Sequence, residues 1–335
     1  MFINKVNITK FDIKIVFSTA LFFLLLIYPF YASAFSVEKI VSSKVESDFV
    51  VGPGKSEFII KPGESVTAEI IVTNRMGVDK VFNLSTEDFS GTKNISDLPI
   101  ILLGKERGPY SLKDYVSIKD KTFTLHDDER ARVPVTISIP ADAEPGGLYG
   151  SVLVSMTSDD VKRNLASGTA VGGAVVETRV GSLLFIRIPG NVKEEGLFKD
   201  LTIADNRKFF AGGPIKLGLL FENTGSIHLN PFGEIIITNI LGQEVGNIKV
   251  EPWFVLPDSI RLRDITFEKK SGFMLGPYKV TASINRGYDS VDIVDQRDIT
   301  FWVIPWKHMI GLVLVIMVLL MSLKFVLSKF EIKRK

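Results

Sequence analysis

The stretch SVTAEIIVTN (residues 65–74) alternates apolar and polar side chains, and the stretch PIKLGLLFEN (residues 214–223) repeats the pattern. Apolar side chains at every second position lie on one face of an extended strand, so each stretch predicts a strand with one buried face and one solvated face. The apolar faces comprise Val66, Ala68, Ile70 and Val72 in the first stretch and Ile215, Leu217, Leu219 and Phe221 in the second.

Similar runs continue outward from these two stretches. Residues 132–139 and 278–284 alternate in the same way, and turns that contain glycine, proline or asparagine separate the runs. Many short strands at this spacing predict antiparallel β-sandwiches, and no amphipathic stretch of helix length stands out in residues 35–304. Because proline cannot donate a backbone hydrogen bond, Pro134 predicts that its strand lies at a sheet edge or carries a bulge. The chain is therefore predicted to be all-β.

The two opening stretches align with each other when one is shifted by 149 positions. Asn74 then aligns with Asn223, at the turn after each strand. A second internal similarity relates Gly147-Leu148-Tyr149 to Gly276-Pro277-Tyr278. The alternative is that both segments merely obey the same sheet rules, since alternating strands also match by chance. Taken together, the two internal similarities predict two tandem immunoglobulin-like β-sandwich domains.

A boundary between the two domains is indicated where an apolar run gives way to Pro189-Gly190 and then to Lys193-Glu194-Glu195. Shifts of this kind mark exposed linkers. We predict that the first domain covers residues 45–189 and the second covers residues 197–304, each large enough to bury its own core. Residues 35–44 are predicted to form a lead-in strand or a flexible arm.

The N-terminus has the layout of a secretory signal peptide. Lysines precede an apolar run over residues 15–30, and Ala32-Ser33-Ala34 follows it. A charged segment, an apolar core and an Ala-x-Ala site define such peptides, so residues 1–34 are predicted to be removed after Ala34. An uncleaved anchor is the alternative, and in both cases the chain that follows is exported.

A second apolar run lies near the C-terminus. At about 1.5 Å per residue, a transmembrane helix over residues 307–327 spans the roughly 30 Å hydrocarbon layer, and Trp302 and Trp306 suit the headgroup zone. The basic tail, residues 328–335, is predicted to be cytoplasmic, which places residues 35–304 outside a cell membrane that the chain crosses once. A buried core helix is the alternative.

The charge distribution argues against a nucleic-acid partner. The chain has a formal net charge of +2, but residues 35–304 hold 31 basic and 36 acidic residues, so the positive charge belongs to the two ends. The absence of cysteine excludes disulfides, a thiolate metal site and a cysteine nucleophile.

The run Phe58-Ile59-Ile60-Lys61-Pro62-Gly63-Glu64-Ser65, followed by an alternating strand and Asn74, resembles the first domain of Gram-positive WxL-interacting surface proteins. Pro145-Gly146-Gly147-Leu148-Tyr149-Gly150 is similar to the glycine-rich entry to a late strand of that domain. The order of signal peptide, two immunoglobulin-like domains, one span and a basic tail agrees as well. The resemblance implies adhesion or scaffolding at the bacterial cell wall, with peptidoglycan as a ligand of the first domain. No binding residue is carried over, because Gly52-Pro53-Gly54-Lys55 stands where the family has an asparagine-glutamine signature.

No pattern of catalytic residues is present. The histidines, His126, His228 and His308, form no His-x-x-x-His pair, and the chain has neither a Gly-x-Ser-x-Gly elbow nor a common nucleotide-binding loop. We therefore predict no enzyme activity, no catalytic residue and no cofactor. Asp127-Asp128-Glu129, in a presumed hairpin turn, offers oxygen ligands for calcium, but a solvated acidic turn is the simpler explanation, so no metal site is assigned.

Two segments are candidate contact sites, although no ligand-binding residue can be assigned. Residues 158–173 form a loop rich in Ser, Asp, Gly and Ala, and long loops often carry binding residues, with a plain connection as the alternative. Trp253-Phe254-Val255-Leu256 lies between two prolines. It is either an exposed aromatic anchor for a partner or part of the core of the second domain.

These observations predict a membrane-anchored extracellular protein that binds a cell-wall polymer or other surface proteins without catalysis. A chaperone or assembly subunit for exported fibres, which lends or accepts a β-strand, is the alternative. A tethered carbohydrate-active enzyme is a third interpretation, because facing carboxylates would serve a glycosidase.

Overall fold

The computed structural model describes residues 35–40, 47–156, 178–268, 274–287 and 293–329. Within these residues the chain forms short and long strands and one long helix. The strands are β1 (Ser36–Lys39), β2 (Asp48–Gly52), β3 (Lys55–Ile59), β4 (Ser65–Arg75), β5 (Lys80–Ser90), β6 (Ile101–Leu102), β7 (Val116–Ile118), β8 (Thr122–Leu125), β9 (Glu129–Ser138), β10 (Gly146–Met156), β11 (Thr178–Ile188), β12 (Gly196–Ile203), β13 (Phe209–Phe210), β14 (Ile215–Asn223), β15 (Phe232–Asn239), β16 (Glu244–Val250), β17 (Ser259–Phe267), β18 (Gly276–Asn285) and β19 (Val294–Val303), and the helix is α1 (Trp306–Lys329). The predicted signal peptide and the predicted contact loop lie outside the described residues.

Strands β1–β11 form two sheets, which we call the first half of the chain. In one sheet β9 pairs with β4 on one side and with β1 and β7 on the other, and β2 pairs with the outer side of β4. The second sheet has the order β3–β11–β10–β5, and β5 then pairs with both β6 and β8. All neighbours are antiparallel except β3, which runs parallel to β11. The apolar faces of the two sheets pack together into one core.

Strands β12–β19 form the second half, again as two sheets. One has the order β12–β14–β17 and the other has the order β13–β19–β18–β15–β16. Leu219 and Phe221 of β14 pack in one core with Val280 and Ile284 of β18, and all four side chains are fully buried. Burial of each such side chain stabilises the fold by roughly 1.5–3 kcal/mol. The prediction of an all-β chain with tandem sandwiches is confirmed.

Asn74 and Asn223 occupy equivalent places in the two halves. Each side chain accepts a hydrogen bond from the backbone N–H two residues later and donates one to the carbonyl four residues later. A further donation crosses to a distant segment, from Asn74 to the Leu125 carbonyl at 3.0 Å and from Asn223 to the Val255 carbonyl at 2.8 Å. The shared pattern supports the interpretation of a structural repeat.

Two local expectations change, and a third is resolved. The prediction that Pro134 marks a sheet edge or a bulge is wrong, because β9 is an inner strand with regular register against β4. The proline falls between Glu129–Arg132, which pair with β1, and Val135–Ile137, which pair with β7. Of the two alternatives for residues 35–44, the lead-in strand is confirmed for residues 36–39, which pair with β9 in the first sheet. The acidic turn after β8 is no hairpin, because β8 and β9 belong to different sheets.

Two residues separate the end of β19 from the start of helix α1. Its 24 residues extend about 36 Å at 1.5 Å per residue, which exceeds a hydrocarbon layer of roughly 30 Å. The mean hydropathy is 2.8, and none of the apolar window is buried against the rest of the chain. The helix is therefore long and apolar enough to cross a membrane.

Candidate functional site

One edge of the second sheet in the first half is open along part of β11. Strand β10 pairs with β11 over its whole length. On the other side of β11, β3 pairs only with Leu183–Arg187. No strand in the described part of the chain pairs with Thr178–Ser182 on that side, and we call Thr178–Ser182 the open edge.

The backbone direction shows which groups the open edge presents. The Leu183 N–H donates to the Gly54 carbonyl at 3.0 Å, so Leu183 faces the side of β3. Successive residues of a strand direct their backbone groups to alternate sides. Arg179 and Gly181 therefore direct their N–H and C=O groups to the open side, where they offer two donors and two acceptors to an added strand.

The edge is open because β2 belongs to the opposite sheet. Asp48–Gly52 pairs with Ile71–Arg75 of β4, and the chain joins the sheet of β11 only from Lys55 onward. A bidentate ion pair between Arg75 and Asp48, at 2.9 and 2.7 Å, holds β2 in this pairing. Had β2 continued alongside β11, it would have covered the open edge.

Among the described residues, three features of the open edge determine how an added strand could approach it. Arg179 lies across the sheet and bonds Glu87 at 2.8 Å. Ser182 is buried and donates to the Pro53 carbonyl at 2.6 Å, which closes the end of the edge nearest β3. Gly181 has no side chain, and a Cβ there would come within 2.9 Å of the Leu153 Cδ2 atom. The arrangement can accept an extended segment of another chain by backbone hydrogen bonding.

A buried polar group joins the two halves of the chain. His228, which is fully buried, donates its backbone N–H to the Tyr149 hydroxyl oxygen at 2.6 Å. The hydroxyl hydrogen is then directed to the His228 Nδ1 atom, 3.2 Å away. This assigns the imidazole proton to Nε2, which donates it to the Glu57 carboxylate at 2.9 Å. Sequence reasoning missed this group, because its members come from three distant segments.

Aromatic packing surrounds the polar group. Phe185 packs at 4.8 Å from the His228 ring and at 5.0 Å from the Phe254 ring, both measured between ring centroids. Leu256 packs in the same cluster with Tyr149. We call the contact formed by Tyr149, Phe185, His228, Phe254 and Leu256 the junction.

The segment Trp253-Phe254-Val255-Leu256 belongs in part to the core of the second half, which was one interpretation of its sequence, and it is not an exposed anchor for a partner. Trp253 and Val255 point into the core of the second half. Phe254 and Leu256 point the other way and pack against the first half at the junction. Alternation along an extended segment explains the division. The segment is thus part of an internal contact.

The pKa of His228 is lowered from its ordinary value of 6.5. Burial is the main cause, because it disfavours the charged imidazolium, and the positive charges of Lys55 and Arg187 act in the same direction. The hydrogen bond and the negative charge of Glu57 oppose the shift. His228 is therefore neutral at pH 7.

Lowering the pH from 7 to 5 is expected to destabilise the second half and its junction. The unfolded histidine takes up a proton at a higher pH than the folded one, so the free energy of unfolding falls as the pH drops below about 6.5. The thermal midpoint of wild-type protein, followed by tryptophan fluorescence, should fall further over this range than that of His228→Gln. An equal fall in both proteins would contradict the prediction.

His126→Gln is the matched control for this pH series. His126 is exposed, and its hydrogen bond with Asp79 at 2.8 Å raises its pKa. A raised folded pKa gives stability that is present at low pH and lost as the pH rises. The substitution should therefore leave the acid-induced fall of the wild type in place.

The acidic turn at residues 127–129 is occupied by backbone contacts. Asp127 accepts from the Gly77 N–H at 2.8 Å, and Glu129 accepts from the His126 N–H at 2.9 Å. In the parts of the chain that the structure describes, no group of three or more carboxylate or histidine side chains is placed to hold a metal ion.

A groove of about 280 Å³ lies beside the junction. Tyr110 and Tyr115 line one side of it and Glu144 lines another. The Tyr110 hydroxyl bonds Asp258 at 3.0 Å, and burial together with this carboxylate raises the pKa of Tyr110 to about 12. The groove offers aromatic and polar surface to a ligand, but no pair of facing carboxylates lines it.

The chain matches no protein-family model and no curated protein sequence. Solved structures similar to it include the class 5 fimbriae chaperone CfaA, with 10% identity, a TM-score of 0.35, and coverage of 77% of this chain and 100% of that one. A chain of the CsuC–CsuE chaperone–tip adhesion subunit complex from Csu pili of Acinetobacter baumannii shows 11% identity and a TM-score of 0.34, and covers 76% of this chain and 98% of its own. At such TM-scores these similarities assign no function.

Proposed function

We propose that this chain is an exported, membrane-anchored binding protein that engages an extended segment of another protein at the open edge. The observation that carries the proposal is that no strand of the described residues pairs with the Arg179 and Gly181 backbone groups on the open side of β11. Unpaired strand edges are templates for added strands, and natural proteins usually cover them. An edge left open beside a well-ordered core favours a role in assembly of, or adhesion to, other surface proteins.

Export and anchoring rest on the two apolar ends of the sequence. The signal-peptide pattern of residues 1–34 predicts export, and α1 has the length and hydropathy of a single span. The basic residues after α1 favour a cytoplasmic C-terminus. The resemblance to WxL-interacting proteins supports the same placement at a bacterial cell envelope. No catalytic role is proposed.

Arg179→Pro is expected to reduce partner capture about tenfold. Proline removes a backbone donor that faces the open side and leaves the bonds between β10 and β11 in place. A photo-cross-linking residue replaces Thr178 in the full chain, which is expressed in its own cell envelope. Irradiation should give a discrete cross-linked adduct with the partner. The adduct yield, measured on denaturing gels, should fall in the proline variant.

Arg179→Ala is the matched control, because it loses the ion pair with Glu87 but keeps the backbone N–H. Its adduct yield should stay within about twofold of wild type, since exposed ion pairs contribute little. The cross-linker at Thr67, which is exposed on the other sheet, should give no adduct. Equal yields from the proline and alanine variants would refute strand addition.

Binding of a wall polymer at the tyrosine-lined groove is the second candidate function. The observation in its favour is the position of Tyr110 and Tyr115 around the groove. Sedimentation of the full chain with purified peptidoglycan, unchanged by Arg179→Pro, would favour this function over strand addition.

A further inference from the structure

Several connections of the second half lie at the end from which α1 leaves. Strand β19 ends at Val303, opposite Gly276 of β18, and Tyr278 of β18 lies opposite Asn239 of β15. Strand β13 pairs with the last residues of β19. Strand β13 with the connection that follows it, the hairpin between β15 and β16, and the link to α1 are therefore neighbours. We call this end of the second half the base.

The base carries exposed apolar side chains at positions where turns are usually polar. Ile240 and Leu241 in the hairpin are 74% and 76% exposed, Phe209 is 65% exposed and Leu275 is 54% exposed. Trp302, Ile304 and Trp306 are also exposed. Apolar side chains grouped at one end of a sandwich, outside its core, mark a surface for a membrane or for another protein.

The short link to α1 identifies the occupant of this surface. Only Ile304 and Pro305 separate β19 from α1, so the Cα atoms of Val303 and Trp306 are at most about 11 Å apart. If α1 crosses a bilayer, the base is held within that distance of the bilayer surface. A separate protein would have to enter this narrow space, whereas lipid headgroups already fill it.

The polar residues of the base suit a headgroup layer. Lys307 lies 5.7 Å from the centroid of the Trp306 ring, and Lys208 precedes the exposed Phe209. Lysine and tryptophan side chains combine an apolar body with a polar end and favour this layer. Arg207 is paired with Asp205 at 2.8 Å, and Glu244 adds one negative charge at the hairpin.

We infer that the base is a lipid-binding surface that rests on the outer leaflet, with the hairpin at Ile240 and Leu241 inserted at the boundary between headgroups and acyl chains. This inference rests on the proposed membrane anchoring. The junction lies at the opposite end of the second half, where β14 ends and β15 begins. The base therefore holds the first half, and its open edge, on the side away from the bilayer.

The absence of cysteine allows a direct test by single-site labelling. Leu241→Cys in the base, Val78→Cys in the first half and Leu319→Cys in α1 are each made in the full chain, and all three side chains are exposed. Each protein is labelled with an environment-sensitive fluorophore and reconstituted in phosphatidylcholine–phosphatidylglycerol vesicles. Nitroxide-bearing lipids then quench any label that contacts the membrane.

We expect the nitroxide lipids to quench the Leu241 label at least about twofold more than the Val78 label. The emission of the Leu241 label should also shift to the blue. Strong quenching at Leu319 with equal, weak quenching at Leu241 and Val78 would overturn the lipid-binding base while leaving the anchor intact. Weak quenching at Leu319, with the protein extracted by alkaline carbonate, would instead overturn the anchoring itself. The two failures are therefore distinguishable.

Discussion

Replacing Asn223 with alanine is expected to lower the free energy of unfolding of the second half by roughly 3 kcal/mol. The side chain is fully buried, donates to the Ile227 and Val255 carbonyls at 2.8 Å each, and accepts from the Gly225 N–H at 2.9 Å. Alanine leaves these backbone groups buried without partners, which costs the desolvation of each. All three tryptophans lie in or just after the second half, so the urea midpoint of tryptophan fluorescence reports the loss.

Two further alanine variants test the reason for this effect. Asn74→Ala should cost a similar amount in the first half, followed by circular dichroism, because its bonds repeat those of Asn223. Asn239→Ala removes comparable bonds to the Leu241 and Gln243 N–H groups in a hairpin that is exposed in protein free of a bilayer, where water replaces them. Its cost should stay below about 1 kcal/mol. Equal losses at Asn223 and Asn239 would contradict the role of burial.

Gly91→Ala is expected to loosen the contact between the halves by about 2–3 kcal/mol. A Cβ at residue 91 would lie 2.4 Å from the Ser259 Cβ and 2.6 Å from its Oγ, so one half must move away from the other. The same movement weakens the bond from the Ile260 N–H to the Thr92 carbonyl, which is 2.8 Å long. Scanning calorimetry of the full chain should show the two halves unfolding at temperatures further apart than in wild type.

Gly54→Ala is the control for this experiment, because a Cβ at that position meets nothing within 4 Å. Its calorimetric trace should match that of wild type within about 0.5 kcal/mol, as for other surface changes. A trace for Gly91→Ala that also matches wild type would show that the halves touch less closely than the structure has them.

Much of the architecture was predictable because alternation is a local signal. The predicted apolar positions of β9, β14 and β18 are buried, as are those of β4 except the half-buried Val66, and Asn74 and Asn223 were recognisable as equivalent. Pro134 led to a wrong prediction because β9 has two short neighbours, β1 and β7, on one side, and the proline lies in the gap between them. The local sequence does not indicate such a gap.

The candidate site was less predictable because it depends on which sheet each strand joins. The open edge exists only because β2 pairs with β4. The local sequence of a strand does not show which of the two sheets the strand joins. His228 and Glu57 meet across 171 positions, so neither residue reveals the other in the sequence. Alternation in residues 253–256 was visible, but it could not show that both faces of the segment are covered by different halves.

The two-residue link between β19 and α1 also determines how the protein bears mechanical load. When the bilayer holds α1 and a bound partner pulls on the first half, tension enters the sandwich along β19. Hydrogen bonds between antiparallel strands run perpendicular to the strands, so the pull shears all ten residue pairs of β18 and β19 together instead of unzipping them singly. The anchorage therefore has almost no slack, and its resistance to rupture depends mainly on the pairing of β19 with β18, since β13 pairs with only two residues of β19.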